Sequence, residues 1–194
     1  MLSAFFDENR PRLPGRVLID GDDNSYRDMQ LPAGWDWVVG ERGPLTEIIN
    51  HAFRAFPDEA VYGCVTDDLR FSAAGWDEAL TAEAGSRCVA WGDDGVKGDR
   101  VCTFFFIGGE LVHHMGWLVH PAFGHLYADN VWWHIAKHAG LARYRPDIKV
   151  KHLRVLDRTF AERSIAGDRE RYAEMKSSGA LDGLAQHAKQ LCSP

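Results

Sequence analysis

Residues 35–68 read WDWVVGERGPLTEIINHAFRAFPDEAVYGCVTDD, and three changes of pattern within them decide the fold class. Trp35–Gly40 crowds aromatic and β-branched residues into one short run, which reads as a strand. Leu45, Ile48, Ile49, Ala52, Phe53 and Phe56 then recur at helical spacing, with Pro44 near the start and Pro57 as a stop. Ala60–Val65 is a second apolar run, too short for a helix, that ends at the adjacent acids Asp67 and Asp68. Strand, helix and strand over this distance predict a βαβ unit, and hence a parallel sheet covered by helices. In open α/β sheets, ligands bind beyond the carboxyl ends of the strands, where this acidic pair falls.

The same design occurs upstream. GRVLIDGDDNS carries the apolar run Val17–Ile19 and then the turn formers Asp20, Gly21, Asp22, Asp23, Asn24 and Ser25. Downstream, GWDEALTAEAG reads as a short helix closed by Gly85, and CVAWGDDGVKGD as a strand running into a Gly- and Asp-rich loop. VCTFFFIGGELVHHMGWLV predicts buried strands or a hairpin around Gly108-Gly109. YADNVWWHIAKHAG predicts a helix with Asp129 or Asn130 near its start and Gly140 as its C-cap. IKVKHLRVL alternates as a strand does, and TFAERSIAGDRERYAEMKSSGALDGLAQHAKQL reads as a polar, Ala-rich helical tail. No repeat, low-complexity tract or composition shift marks a linker. The expected organisation is one domain with its body over residues 1–160 and a tail over 161–194 packed on it.

The 194 residues are 45% hydrophobic and 26% charged, which excludes a disordered chain, a collagen-like repeat and a disulfide-stapled miniature. A formal charge of -6 offers no global attraction for phosphate backbones, so a nucleic-acid partner needs a local basic patch. The chain lacks an apolar run of transmembrane length, and MLSAFFDENRPR becomes charged before a signal-peptide core forms. A cytoplasmic protein with no membrane partner is expected. Cys64, Cys88, Cys102 and Cys192 are far apart, without a C-x-x-C pair; the first three sit in apolar surroundings and read as buried reduced thiols.

Two ionised acids side by side, as at Asp67-Asp68, repel each other, and a divalent cation with hard oxygen ligands relieves that repulsion. An acidic turn in water is the alternative. His134 and His138 have the i, i+4 spacing of a metal-binding helix face, but Ile135 stands where the metalloprotease pattern needs Glu, so both read as helix-face residues. His113 and His114 read as packing or surface residues, with an acceptor-site role as the alternative. Trp117, Phe123, Trp132 and Trp133 are expected mostly in the core, with one or two free to form a stacking platform.

YGCVTDDLRFSAAGWDEAL resembles the metal-binding region of the GT-A glycosyltransferases, where a strand ends in a D-x-D-type motif that holds a metal and the diphosphate of a nucleotide sugar. Thr66 stands at the position of the usual first aspartate. The resemblance implies Asp68 as a metal ligand with Asp67 beside it. VLIDGDDNS is similar to the strand whose terminal acid contacts the nucleotide base, which implies Asp20 or Asp22. GERGPLTEIINHAF resembles the loop and helix that bring an arginine and an asparagine to the donor, here Arg42 and Asn50. HLYADNVWWHIAKHAG resembles the region of the catalytic base, here Asp129, and IKVKHLRV the late strand whose histidine, His152, completes the metal site.

The resemblance runs in order over about residues 15–155 and implies a three-layer α/β/α GT-A domain with a mostly parallel sheet. LSAFFDEN reads as the end of the family's first helix, so the opening strand is expected to be missing. The implied activity is a family 2-like, metal-dependent and inverting transfer of sugar from a nucleotide diphosphate, with Mn²⁺ or Mg²⁺ as cofactor. The acceptor would be a glycan, a protein or a modified DNA base, and the size suits a phage-type enzyme. The stretch Arg143, Arg145, Lys149, Lys151, Arg154 and Arg158 is either a solvated face or a cradle for the donor diphosphate or an anionic acceptor. The alternatives are a nucleotidyltransferase, although no Gly-rich phosphate loop is visible, and a non-catalytic nucleotide-sugar-binding module.

Overall fold

The computed structural model describes residues 1–26, 28–153 and 165–191. Arg154, Arg158, Cys192 and the start of the expected tail lie outside the described residues. The chain forms α1 (Leu2–Asn9), β1 (Gly15–Asp20), β2 (Trp35–Gly40), α2 (Leu45–Ala55), β3 (Val61–Cys64), β4 (Leu69–Phe71) and α3 (Trp76–Ala84). It continues with β5 (Val89–Asp93), a 3₁₀ turn at Gly98–Arg100, β6 (Phe105–Gly108), α4 (Gly109–Met115), α5 (Ala128–Ala139), β7 (Ala142–His152), α6 (Ile165–Ser177) and α7 (Ala180–Gln190). No helix among the described residues is long and apolar enough to cross a membrane.

The architecture is mixed α/β, and the strands form two ladders rather than the single, mostly parallel sheet expected. β1 and β2 pair in parallel, while β3, β6, β5, β7 and β4 form a five-stranded sheet in that order. Only β5 and β7 run parallel in the larger sheet; the β3–β6, β5–β6 and β4–β7 pairs are antiparallel. The cause is the loop after β5. Its glycines, Gly95 and Gly98, take positive φ, so the chain reverses without the crossover helix that a parallel neighbour requires. The predicted βαβ unit is likewise corrected: its strand, helix and strand exist, but β2 and β3 belong to different ladders.

Of the buried strands or hairpin expected around Gly108-Gly109, the structure has one buried strand, β6, and the two glycines form its junction with α4 rather than a hairpin turn. Both glycines mark close backbone approach, since a Cβ on Gly108 would sit 2.1 Å from Ser86 C and one on Gly109 2.3 Å from Glu59 O. The following Leu111, Val112 and Met115 are buried at helical spacing, and Gly116 caps the turn with φ 78.

Alternation along the central strands divides the core between two faces. Val89, Trp91, Phe105 and Ile107 pack with Leu111, Val112, Val131, Trp132, Ile135 and Leu181 from α4, α5 and α7. Ala90, Phe104 and Phe106 pack with Phe5, Phe6, Trp76 and Leu80 from α1 and α3. On the latter face Trp76 stacks on Phe71 at 3.7 Å and donates its indole N–H to Asn9 O at 3.0 Å. Asn9 is buried and behaves like an extra strand residue, donating to Leu69 O (2.8 Å) and accepting from Phe71 N (2.7 Å). α1 is thereby tied to β4, the strand that follows Asp68.

Candidate functional site

Topology gathers the acids at one sheet edge. β3 and β5 both oppose β6 and therefore point the same way, and β7 runs parallel to β5, so the carboxyl ends of all three share that edge. α5 turns into β7 through Gly140, left-handed at φ 79, which brings the start of α5 and Asp129 to the same edge. The carboxyl end of β1 adjoins it as well. The Tyr26 hydroxyl, raised in pKa first by burial, feels the charges of both Asp67 and Asp23.

Asp68 and His152 meet there: His152 Nε2 lies 2.7 Å from Asp68 Oδ2. The backbone dictates this contact, because β4 begins immediately after Asp68 and pairs Leu69 with His152, and Leu153 N donates to Asp68 O at 2.9 Å. Thr66, in the place of an expected aspartate, donates its hydroxyl to Asp68 Oδ1 and fixes that carboxylate. Asp67 beside it has a raised pKa, first from burial and then from the Asp68 charge, partly offset by the N-terminal ammonium. Asp68 and His152 thus bring together one carboxylate oxygen and one imidazole nitrogen, two donor types that a divalent cation takes, with Asp67 as the neighbouring carboxylate in sequence.

Asp20, Asp22 and Arg42 also come together, at the ends of β1 and β2. Arg42 Nε donates to both Asp22 oxygens, at 3.0 and 2.8 Å, and Nη1 lies 3.7 Å from Asp20 Oδ2. The guanidinium holds Asp22 below the ordinary carboxylate range. Asp20 Oδ1 is buried without a hydrogen-bond partner, a costly state for a carboxylate oxygen unless something donates to it. Gly21, Val39, Gly40 and Glu41 complete an open cleft of about 560 Å³ around Asp22 and Arg42.

Asp129 lies in the first turn of α5 rather than capping it; the cap position belongs to Tyr127, a non-glycine residue at φ 70. Burial raises the Asp129 carboxyl above its usual range, against the pull of hydrogen bonds from Asn130 N (2.8 Å) and its own N–H and of the more distant Lys97 charge. The Lys97 loop is itself held by Asp94, which accepts N–H bonds from Val96, Lys97 and Gly98 at 2.9, 2.6 and 3.1 Å.

The strained entry to α5 is held from α6. Asp168 is buried and accepts three backbone bonds, from Gly124, His125 and Leu126, each 2.9 Å. Burial pushes its pKa up, but those three donors win and hold it below the ordinary value. Tyr172 adds a ring stacked on Tyr127 at 4.6 Å. Asp168→Asn leaves at least one of these N–H groups facing an amide N–H and is expected to cost about 2–4 kcal/mol. At roughly 2–4 °C per kcal/mol the loss is easily read by calorimetry. Because the folded pKa is depressed, the carboxylate contributes fully above its unfolded value near 4 and loses that contribution as pH falls through the lower folded value. The gap between wild type and variant therefore narrows in acid.

Other expected residues serve the fold. Asn50 is buried and clamps the backbone of Leu118 and Val119, accepting both N–H groups at 3.0 Å and donating to Val119 O at 2.7 Å. Trp132 is fully buried and donates to Leu118 O (2.7 Å), whereas Trp133 reaches Asp99 O (2.6 Å). Arg145 is paired with Asp147 and Glu83, and Lys149 with Asp93 at 2.6 Å. His113 contacts Pro57 O, and His114 stacks on His187. Cys64, Cys88 and Cys102 are thiols rather than disulfides, with Cys64 pushed up to about 12 by burial. A larger depression of about 920 Å³, beside Asp58, Glu59, Gly109, His113 and His114, lies at the opposite edge, by the amino end of β3, and is lined by none of Asp20, Asp22, Arg42, Asp67, Asp68, Asp129 and His152.

Tyr26, Asp94, Tyr127 and Asp168 were not singled out from the sequence. Asp94 belongs to a visible Gly- and Asp-rich loop, but Asp168 is one acid in a polar helix and nothing local marks it. A scan against protein-family models matches none to this chain, and a search of curated proteins finds no similar sequence.

Proposed function

We propose that the chain is a metal-dependent glycosyltransferase of GT-A type that moves a sugar from a nucleotide diphosphate to an acceptor hydroxyl with inversion. The observation that carries this reading is the meeting of Asp68 and His152 beside Asp67, at the edge where Asp20, Asp22 and Asp129 also lie. On this reading the β1–β2 ladder and the five-stranded sheet present one donor-binding surface. Asp68 and His152 hold Mn²⁺ or Mg²⁺, which when bound neutralises the charge on the leaving diphosphate.

The chain's own groups do the rest. The unpartnered Asp20 oxygen accepts a hydrogen bond from the nucleotide, and Arg42 orients Asp22 at the mouth of the cleft. Asp129 takes the proton of the acceptor hydroxyl as its oxygen bonds to the sugar carbon and the bond from that carbon to the diphosphate breaks. A carboxyl raised by burial is a better base for this than an ordinary one. The acceptor class is a glycan, a protein or a modified DNA base.

The test is product identity. Incubation with Mn²⁺ and a panel of nucleotide sugars is expected to release nucleoside diphosphate. Pyrophosphate release from a nucleoside triphosphate would instead make the chain a nucleotidyltransferase, and donor binding without turnover a binding module; either overturns the proposal.

A further inference from the structure

We propose a second metal centre, remote in chemistry from the acidic edge, formed by His134, His138 and Asp182 and suited to a borderline divalent cation such as Zn²⁺. His134 and His138 lie one turn apart on α5, their rings stacked with centroids 4.1 Å apart. Asp182, in the first turn of α7, brings its Oδ1 to 2.9 Å from His134 Nε2. One ligand atom from each residue lies within 4.8 Å of the other two. The sequence supplies the histidine pair; only the packing of α7 on α5 supplies the third ligand.

The geometry favours a site over a chance surface cluster in two respects. The two helices are fixed against each other by Ile135, Ala136 and Leu181, all essentially fully buried, so the ligand backbones are preorganised. Lys137, the neighbouring cation on α5, is drawn off to Asp99 at 3.1 Å and does not compete for Asp182. Zinc bonds of about 2.0–2.2 Å place tetrahedral ligand atoms about 3.3 Å apart. His138 and Asp182 are exposed at their tips and can close the remaining gap by side-chain rotation. Two imidazoles and one carboxylate leave a fourth position open to water. Imidazole suits Zn²⁺, whereas the carboxylate-rich edge suits Mg²⁺ or Mn²⁺, so the two centres select different ions. A bound ion would pin the C-terminal helix to the helix that carries Asp129.

The test is melting of the full, untagged chain at pH 7.5 with Zn²⁺ alone. At a hundredfold excess over Kd the wild type is expected to melt about 5–10 °C higher. His138→Ala and Asp182→Asn, both exposed changes, should lose the rise while melting like wild type without metal. Bound Co²⁺ should give the intense visible bands of a tetrahedral site, absent in His138→Ala. No rise, or a rise that survives His138→Ala, overturns the proposal. So does a rise lost only in Asp68→Ala, which would assign the ion to the acidic edge. None of these outcomes depends on whether the chain transfers sugar.

Discussion

Asp68→Ala is expected to reduce sugar transfer by about 10³-fold or more, while the fold survives. A ligand to the ion that neutralises a leaving diphosphate is worth several kcal/mol in the transition state, and each 1.36 kcal/mol is tenfold in rate. The structural cost is small by comparison. The Asp68 side chain bonds to Thr66 and His152 at the rim of the edge rather than within the core, so melting without metal should move by about 1 kcal/mol or less. His152→Ala should lose less, because the adjacent carboxylates remain. Initial rates at saturating donor, with melting recorded on the same preparations, separate lost chemistry from lost fold.

Asp129→Asn is expected to lower kcat by about 10²–10⁴-fold with little change in the KM for donor, since a general base acts in the transition state. The pH profile is the more specific readout. With Asp129 as the proposed base, wild-type activity is expected to fall on acidification as the carboxylate takes up its proton, and burial shifts that fall upward from the ordinary aspartate range. In the variant this limb disappears. The stability effect has the opposite sign. A folded pKa above the unfolded one means that ionisation opposes folding at neutral pH, and only below the unfolded value is the penalty absent. The asparagine variant should therefore melt at or above wild type at pH 7, a trade of stability for activity.

Local elements were legible because their signals are local. Trp35–Gly40 is a strand to the residue, and Gly85 and Gly140 close α3 and α5 as their positions suggested. Strand pairing was not legible, because it depends on where a loop sends the chain. The turn through Gly95 and Gly98 makes β6 antiparallel, and no periodicity within Phe105–Gly108 encodes that. Gly108-Gly109 looked like a turn for a physical reason: the glycines that fit a tight turn also fit a close approach to Ser86 and Glu59. Asp67, Asp68 and Asp22 were visible as acids after strands. That His152 reaches Asp68 follows from the β4–β7 register, a pairing of distant segments that family resemblance suggested and composition did not. Asp168 shows the reverse, a buried anchor whose three donors lie in a loop far away in sequence.

The central claim, a metal-assisted nucleotide-diphosphate site at the Asp68–His152 edge, is tested most directly by the melting temperature of the wild-type chain titrated with Mn²⁺ and a nucleoside diphosphate together. A rise larger than either ligand gives alone, saturating with both and lost in Asp68→Ala, is the result predicted. A melting curve unchanged by the pair, or a rise undiminished in Asp68→Ala, contradicts it.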